Sequence, residues 1–399
     1  MITSLGLVTL LGLLANALFT KLKLPGLLGM LLLGVVLGPY ALDMLDDNLL
    51  LVSADFRKIA LIIILLRAGL GISKDQLNRV GKTALKMSFI PGVIEGLTIM
   101  MVSGPLLGFS RIEGGILGFI IAAVSPAVVV PQMIAFHEMR LGTKKAIPTL
   151  ILASASIDDV VAITIFSAFL GLYSGEHVNI GIEIFSIPMS IILGILTGLI
   201  LGMVLVKVFE RYHIRDTKKV LMILGVAIMI TALENALKSK IEIAGLLGVM
   251  TIGFILLEKR PVVAKRLAVK FGKVWIFAEI LLFVLVGAQV NISVAVNAGL
   301  KGILLIAAGL VGRSIGVLIS TQGTNLNFKE RLFCVIAYIP KATVQAAIGG
   351  VPLMLGVASG DLILAMAVLS IIITAPLGAF GIHLTAPKWL ERETEVEAI

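Results

Sequence analysis

Two acids stand side by side in a stretch that otherwise holds no charge: Ser154-Ala155-Ser156-Ile157-Asp158-Asp159-Val160-Val161-Ala162, inside an apolar run from 147 to 172. If that run crosses a bilayer, each carboxylate near its centre costs about 2.5–3.5 kcal/mol even on a lenient insertion scale. Two acids satisfied only by hydrogen bonds are the weaker reading, because ionisable groups at membrane depth mark ion and proton paths. Neighbouring residues of a helix point about 100° apart, so Asp158 and Asp159 cannot share one partner. One can face an ion while the other faces a buried base. Burial penalises an ionised carboxylate, and either a proton or a metal cation relieves that penalty. At a single carboxylate the two occupants exclude each other, and exchange follows from that exclusion.

Other charges interrupt apolar runs at Glu95, Arg313, Lys341 and Arg67. Glu95 and Arg313 occupy corresponding places in the two halves of the chain and are expected to meet as a buried ion pair, which can fix packing without taking part in transport. Lys341 sits in a proline-broken segment, where it either balances freed carbonyls and helix ends or pairs with an aspartate. Arg67, near the end of its run, has the reach to snorkel to the interface. His137, His177, His213 and His383 fall in loops or near run ends, away from metal-ligand spacing, and read as surface groups. The one cysteine, Cys334, offers neither a disulfide nor a cysteine metal site, and no cofactor is implied.

The elements that position these groups follow from composition. Of 399 residues, 58% are hydrophobic and 14% charged, and the mean hydropathy is +1.09, which excludes a water-soluble enzyme. The pattern predicts an all-α membrane protein with about thirteen spans, near 3–20, 25–39, 56–72, 84–107, 112–134, 147–172, 183–208, 218–238, 242–258, 274–291, 299–321, 329–356 and 360–385. The first run has no positive stretch before it and has Lys21 and Lys23 after it, so it reads as a span and not a cleaved leader. Most of the 33 lysines and arginines fall in the loops on one face, which is therefore expected to be cytoplasmic. The N-terminus is then outside and the C-terminus inside. No basic groove with interleaved aromatics exists, so the net charge of +9 does not point to nucleic acid.

An odd span number allows two six-helix halves, 1–172 and 218–385, joined by a linking helix at 183–208 and followed by a tail at 386–399. The halves enter the membrane from opposite faces and so form inverted repeats. Ser125-Pro126-Ala127-Val128-Val129-Val130-Pro131 in the fifth span and Ile339-Pro340-Lys341-Ala342-Thr343-Val344-Gln345 in the twelfth break their helices in matching places. Proline removes an N–H and frees carbonyls, which are tolerated at membrane depth only inside protein or against a wet cavity. Paired broken helices point to a transport site. The glycines of Gly34–Gly38 and of Gly194, Gly198 and Gly202 permit close helix contact, with contact between subunits one expected use.

Four segments carry a resemblance to a known family: Ser125 to Pro131, Ile157-Asp158-Asp159, Phe283-Val284-Leu285-Val286-Gly287-Ala288-Gln289-Val290 and Pro340-Lys341-Ala342-Thr343-Val344-Gln345-Ala346-Ala347-Ile348-Gly349. The chain resembles the sodium/proton antiporters of the monovalent cation:proton antiporter superfamily, nearest to the NHA-type branch, over nearly its whole length. The resemblance implies a homodimer in the cell (inner) membrane. It also implies an ion-translocation core from 84–172 and 299–385, in which the discontinuous fifth and twelfth helices cross. It makes Asp159 the main sodium-binding carboxylate and Asp158 its neighbour, with backbone oxygens around Val124 to Val130, Val124 and Val128 among them, and Ser156 as further ligands. Glu95 and Arg313 match the family's buried acid and base. Arg313 departs from electrogenic relatives that carry a lysine there; an arginine stays protonated and cannot release a transported proton.

The function expected is secondary antiport of sodium or lithium against protons by alternating access. A potassium/proton antiporter and a sodium-coupled solute symporter remain alternatives, since broken helices recur among transporters. A passive cation channel is separated by whether downhill sodium forces protons the other way. An intramembrane aspartyl protease needs aspartates converging from separate helices, which Asp158 and Asp159 do not do.

Overall fold

A computed structural model describes residues 1–22, 24–174, 180–237, 243–290 and 292–393. Lys23, His177 and the end of the tail lie outside the described residues. The helices are α1 (Ile2–Lys21), α2 (Gly26–Leu37), α3 (Asp47–Leu51), α4 (Ser53–Gly69), α5 (Lys74–Leu107), α6 (Arg111–Ile121), α7 (Pro126–Glu138), α8 (Ile147–Tyr173), α9 (Ile180–Arg211), α10 (Asp216–Leu237), α11 (Gly245–Lys259), α12 (Pro261–Ala288), α13 (Ile292–Ser320), α14 (Phe328–Ala337), α15 (Thr343–Ile348), α16 (Val351–Met354) and α17 (Gly360–Trp389). Among the described residues there is no strand, only one isolated bridge between Leu141 and Arg392. Among the described residues, eight helical segments are long and apolar enough to cross a membrane, with α6 and α7 counted together. The predicted spans at 25–39, 56–72 and 242–258 hold the shorter helices α2, α4 and α11.

Two helices start well before the hydropathy suggested. α5 begins at Lys74, capped by the Ser73 side chain, and its 34 residues reach about 51 Å at 1.5 Å per residue, against a hydrocarbon core of about 30 Å. α12 begins at Pro261, a residue suited to the first helical position because its missing N–H is not needed there. Apolar runs mark only the lipid-depth part of a helix, and polar turns at the interface continue the same backbone ladder.

The helices pack in two groups. α5 lies against α13, α6 and α8, while α17 covers α13 and α14. In the other group α12 packs on α2 and α4, and α11 packs on α9 and α4. The glycine stripes serve these contacts within one chain. A Cβ on Gly34 would sit 2.0 Å from the Val284 carbonyl oxygen, and one on Gly198 would sit 2.2 Å from that of Gly248. That use corrects the idea that these stripes join subunits.

At the face carrying most basic loops, the chain after α17 hydrogen-bonds the α7–α8 loop. Gly142 N–H donates to the Glu391 carbonyl at 2.7 Å, and Glu393 N–H to that of Arg140 at 2.9 Å. Lys145 from the same loop donates to both oxygens of Glu330, at 2.9 and 2.8 Å. Glu330 is buried and also closes the capping box of α14 with Asn327. Lys145→Met removes the cation from a buried carboxylate and is expected to cost roughly 1–3 kcal/mol. A lowered thermal midpoint in detergent, restored in part by Glu330→Gln, checks it.

Candidate functional site

The breaks in the two interrupted helices meet. α6 ends at Ile121 and α7 restarts at Pro126, so the gap precedes the proline, which takes the first helical position where it needs no N–H. Pro131, expected to take part in the break, lies inside α7. In the second interrupted helix the gap runs from Tyr338 to Ala342, between α14 and α15. Ser125 N–H donates to the Pro340 carbonyl at 2.8 Å, which ties the gaps together. The freed backbone groups are thus partly satisfied by each other, as burial at membrane depth requires.

Five ionisable side chains gather around this crossing. Arg313 on α13 donates from Nη1 to Glu95 Oε2 on α5 at 2.7 Å, and from Nη2 to Asp158 Oδ2 on α8 at 2.9 Å. Its Nη1 also donates to the Ala122 carbonyl at the end of α6. Lys341 Nζ reaches Glu95 Oε2 at 2.6 Å, so its partner is a glutamate and neither an aspartate nor a helix end. All four of these residues are at most 2% exposed, so the ion pairs act at low dielectric and are screened little by salt.

The adjacent aspartates are treated differently. Asp158 Oδ2 accepts from Arg313 and from the Val124 N–H at 2.8 Å. Asp159 is half-buried, and its Oδ1 is enclosed without a hydrogen-bond partner. Ser156 lies three residues earlier on the same side of α8, and its Oγ contacts Met250 Sδ of α11 at 3.6 Å. Asp159 therefore lies on the side of α8 that Ser156 turns toward α11 of the other helix group.

The remaining candidates occupy defined places. Val124 presents its N–H to Asp158, while Val128 lies within α7 and its carbonyl accepts from Gln132 Nε2 at 3.1 Å. The carbonyls turned into the crossing are those of Ile120, Ile121 and Ala123, all of which accept from Gln345 Nε2. Ser156 Oγ also donates to its own helix, at the Leu152 carbonyl. Arg67 pairs with Glu138 of α7 and so links the two helix groups rather than ending in solvent. Among the described residues no cluster of three or more His, Cys, Asp or Glu could hold a resident metal.

Two contributors, Tyr338 and Gln345, escaped the sequence reading, as did one acid outside the crossing, Glu279. Tyr338 is fully buried, stacks on the Arg313 guanidinium with 5.0 Å from Cζ to the ring centroid, and donates its hydroxyl to Ser154. A tyrosine in an apolar run carries no visible signal of that kind. Gln345 stands inside the second broken-helix motif, and its bridging role depends on which carbonyls are free. Glu279 on α12, near Arg67 and Trp275, is a further acid within an apolar helix and was legible from its position alone.

The transmembrane family of sodium/hydrogen exchangers matches residues 6–387. Sodium/hydrogen exchanger 9B2 of Homo sapiens is 32% identical over 92% of this chain and 70% of its own length. The protein of that name from Xenopus tropicalis is 34% identical, over 95% and 73%. The structure of the sodium proton antiporter MjNhaP1 from Methanocaldococcus jannaschii at pH 8 superposes with a TM-score of 0.79, covering 97% of this chain and 98% of that one at 23% identity, a likeness of fold. The paired broken helices, the embedded aspartates and a match over nearly the whole length agree: the chain belongs to the sodium/hydrogen exchanger family and is a multi-pass membrane cation/proton antiporter of the monovalent cation:proton antiporter superfamily.

Proposed function

We propose that the protein exchanges sodium or lithium for protons, one cation for one proton, at Asp159. The carrying observation is the contrast between the two aspartates: Asp158 is held through Oδ2 by Arg313 and the Val124 N–H, its Oδ1 alone unpartnered, whereas among the described residues no hydrogen bond or ion pair holds Asp159. A charge count supports the stoichiometry. Arg313 and Lys341 balance Asp158 and Glu95, so an ionised Asp159 leaves one negative charge, which either a proton or one alkali cation cancels. The loaded site is then neutral in both forms, and neutral forms cross the low-dielectric interior at least cost. Arg313 keeps its proton at any working pH, so it adds no second proton to the cycle.

In this reading the bundle of α5–α8 and α13–α17 carries the site and rocks against the group containing α2, α4, α11 and α12. Asp159 at the seam exchanges its occupant on whichever side is open. The more basic face is cytoplasmic and the N-terminus external, and the chain works as a homodimer in the cell (inner) membrane. Hard oxygen ligands and a single carboxylate suit a small monovalent cation.

Proteoliposomes loaded with a pH-sensitive dye test this. Sodium and lithium are expected to drive proton movement without any added organic solute. An imposed membrane potential is expected to leave the initial rate unchanged; a rate that follows the potential would replace one-for-one exchange with an electrogenic cycle. Stronger coupling to potassium would move the substrate to the potassium/proton alternative.

A further inference from the structure

Gln345 ties one interrupted helix to the other. Its Nε2 donates to the carbonyls of Ile120 at 2.9 Å, Ile121 at 3.3 Å and Ala123 at 3.0 Å. Carbonyl oxygens only accept, so the amide nitrogen must face them and the orientation of the amide is decided by chemistry. Oε1 consequently points away from the freed carbonyls. It is buried without a partner, on a residue only 2% exposed. A buried amide oxygen left unpaired in a native fold calls for an explanation.

The surroundings supply one. Gln345 lines a cavity of about 410 Å³ together with Tyr40, Val286, Gln289, Ala346 and Met354, at the ends of α2 and α12 opposite the basic loops. At about 30 Å³ per water, that space holds roughly a dozen waters, enough for a cation with its hydration shell. The next residue back, Val344, packs against Ala162 and Ala123. Ala162 is three residues beyond Asp159 on α8, about one helical turn nearer the cavity. Gln345 thus lines the cavity next to a residue that packs on the helix carrying Asp159.

We propose that Gln345 Oε1 is a ligand for the alkali cation on its way between this cavity and Asp159, the first protein oxygen to replace hydration water from that side. The oxygen is neutral, so it assists dehydration without competing with Asp159 for the proton. The bridge to three carbonyls holds it in place before the cation arrives, and that pre-organisation lowers the cost of binding. This inference rests on the reading of Asp159 as the exchanging carboxylate.

The test uses the full chain in proteoliposomes of uniform orientation, with sodium chloride titrated separately from the cavity face and from the opposite face. Gln345→Met keeps the length and removes the oxygen. It is expected to raise half-saturating sodium at the cavity face about tenfold, the scale of one lost polar contact. The opposite face is expected to change by no more than about twofold, and the ratio of lithium to sodium transport to shift; a purely structural bridge moves none of these selectively. Should Gln345→Met fail to fold, Gln345→Asn, which withdraws the amide by one methylene, gives the same readout. Equal shifts from both faces, or a lower maximal rate with unchanged half-saturation, would overturn the proposal. If Asp159→Asn is inactive while the Gln345 variants bind as before, only the Gln345 inference falls; if Asp159→Asn still exchanges, the underlying site reading falls instead.

Discussion

Asp159→Asn is expected to abolish sodium-dependent proton movement in proteoliposomes, a loss to background rather than a partial effect. The amide neither takes up a proton at working pH nor supplies the charge that cancels a cation, so both loaded forms disappear at once. Asp158→Asn should behave differently. Its carboxylate is already committed to Arg313 Nη2 at 2.9 Å and the Val124 N–H at 2.8 Å, so the change unbalances Arg313 before it touches the exchanging group. That variant is expected to keep measurable exchange with a displaced pH profile, because the uncompensated guanidinium favours the ionised form of neighbouring acids. Parallel dye measurements across pH check both. Exchange by Asp159→Asn at the wild-type rate would end the assignment.

Arg313→Met is expected to be the most destabilising single change at the site. The guanidinium serves Glu95, Asp158 and the Ala122 carbonyl from one planar fork, and its removal leaves Asp158 buried with only the Val124 N–H. Removing one partner of a buried ion pair costs about 3–5 kcal/mol, because the other charge remains uncompensated. Thermal unfolding in detergent should show it as a large drop in midpoint. Adding Asp158→Asn to Arg313→Met should recover part of the loss, since the stranded charge is then gone; additive losses in the double variant would show that the pair does not couple. Arg313→Lys is not expected to rescue fully, for an ammonium lacks the fork that meets three acceptors on three helices.

The pairing of Lys341 shows where reading along the chain stops. Its place in a proline-broken helix was evident, yet its nearest acid turned out to be Glu95, 246 residues away in sequence, at 2.6 Å. The Glu95–Arg313 pair was reachable because both residues occupy matching places in the two halves. Lys341 offers no comparable symmetry argument. Hydropathy likewise located the apolar part of α5 and α12 but not their polar first turns, since the helical ladder runs on after the lipid ends.

From residue types and spacing alone come the membrane setting, the helical class, two interrupted helices, and adjacent aspartates that need different partners. Each follows from the cost of leaving polar groups in hydrocarbon, which acts on every segment locally. Which aspartate is held and which is open, which carbonyls are freed, and what Gln345 and Tyr338 touch were decided only by packing. Those outcomes depend on the relative rotation of α5, α8 and α13 and on the crossing of the two breaks, and such geometry arises from contacts between distant segments.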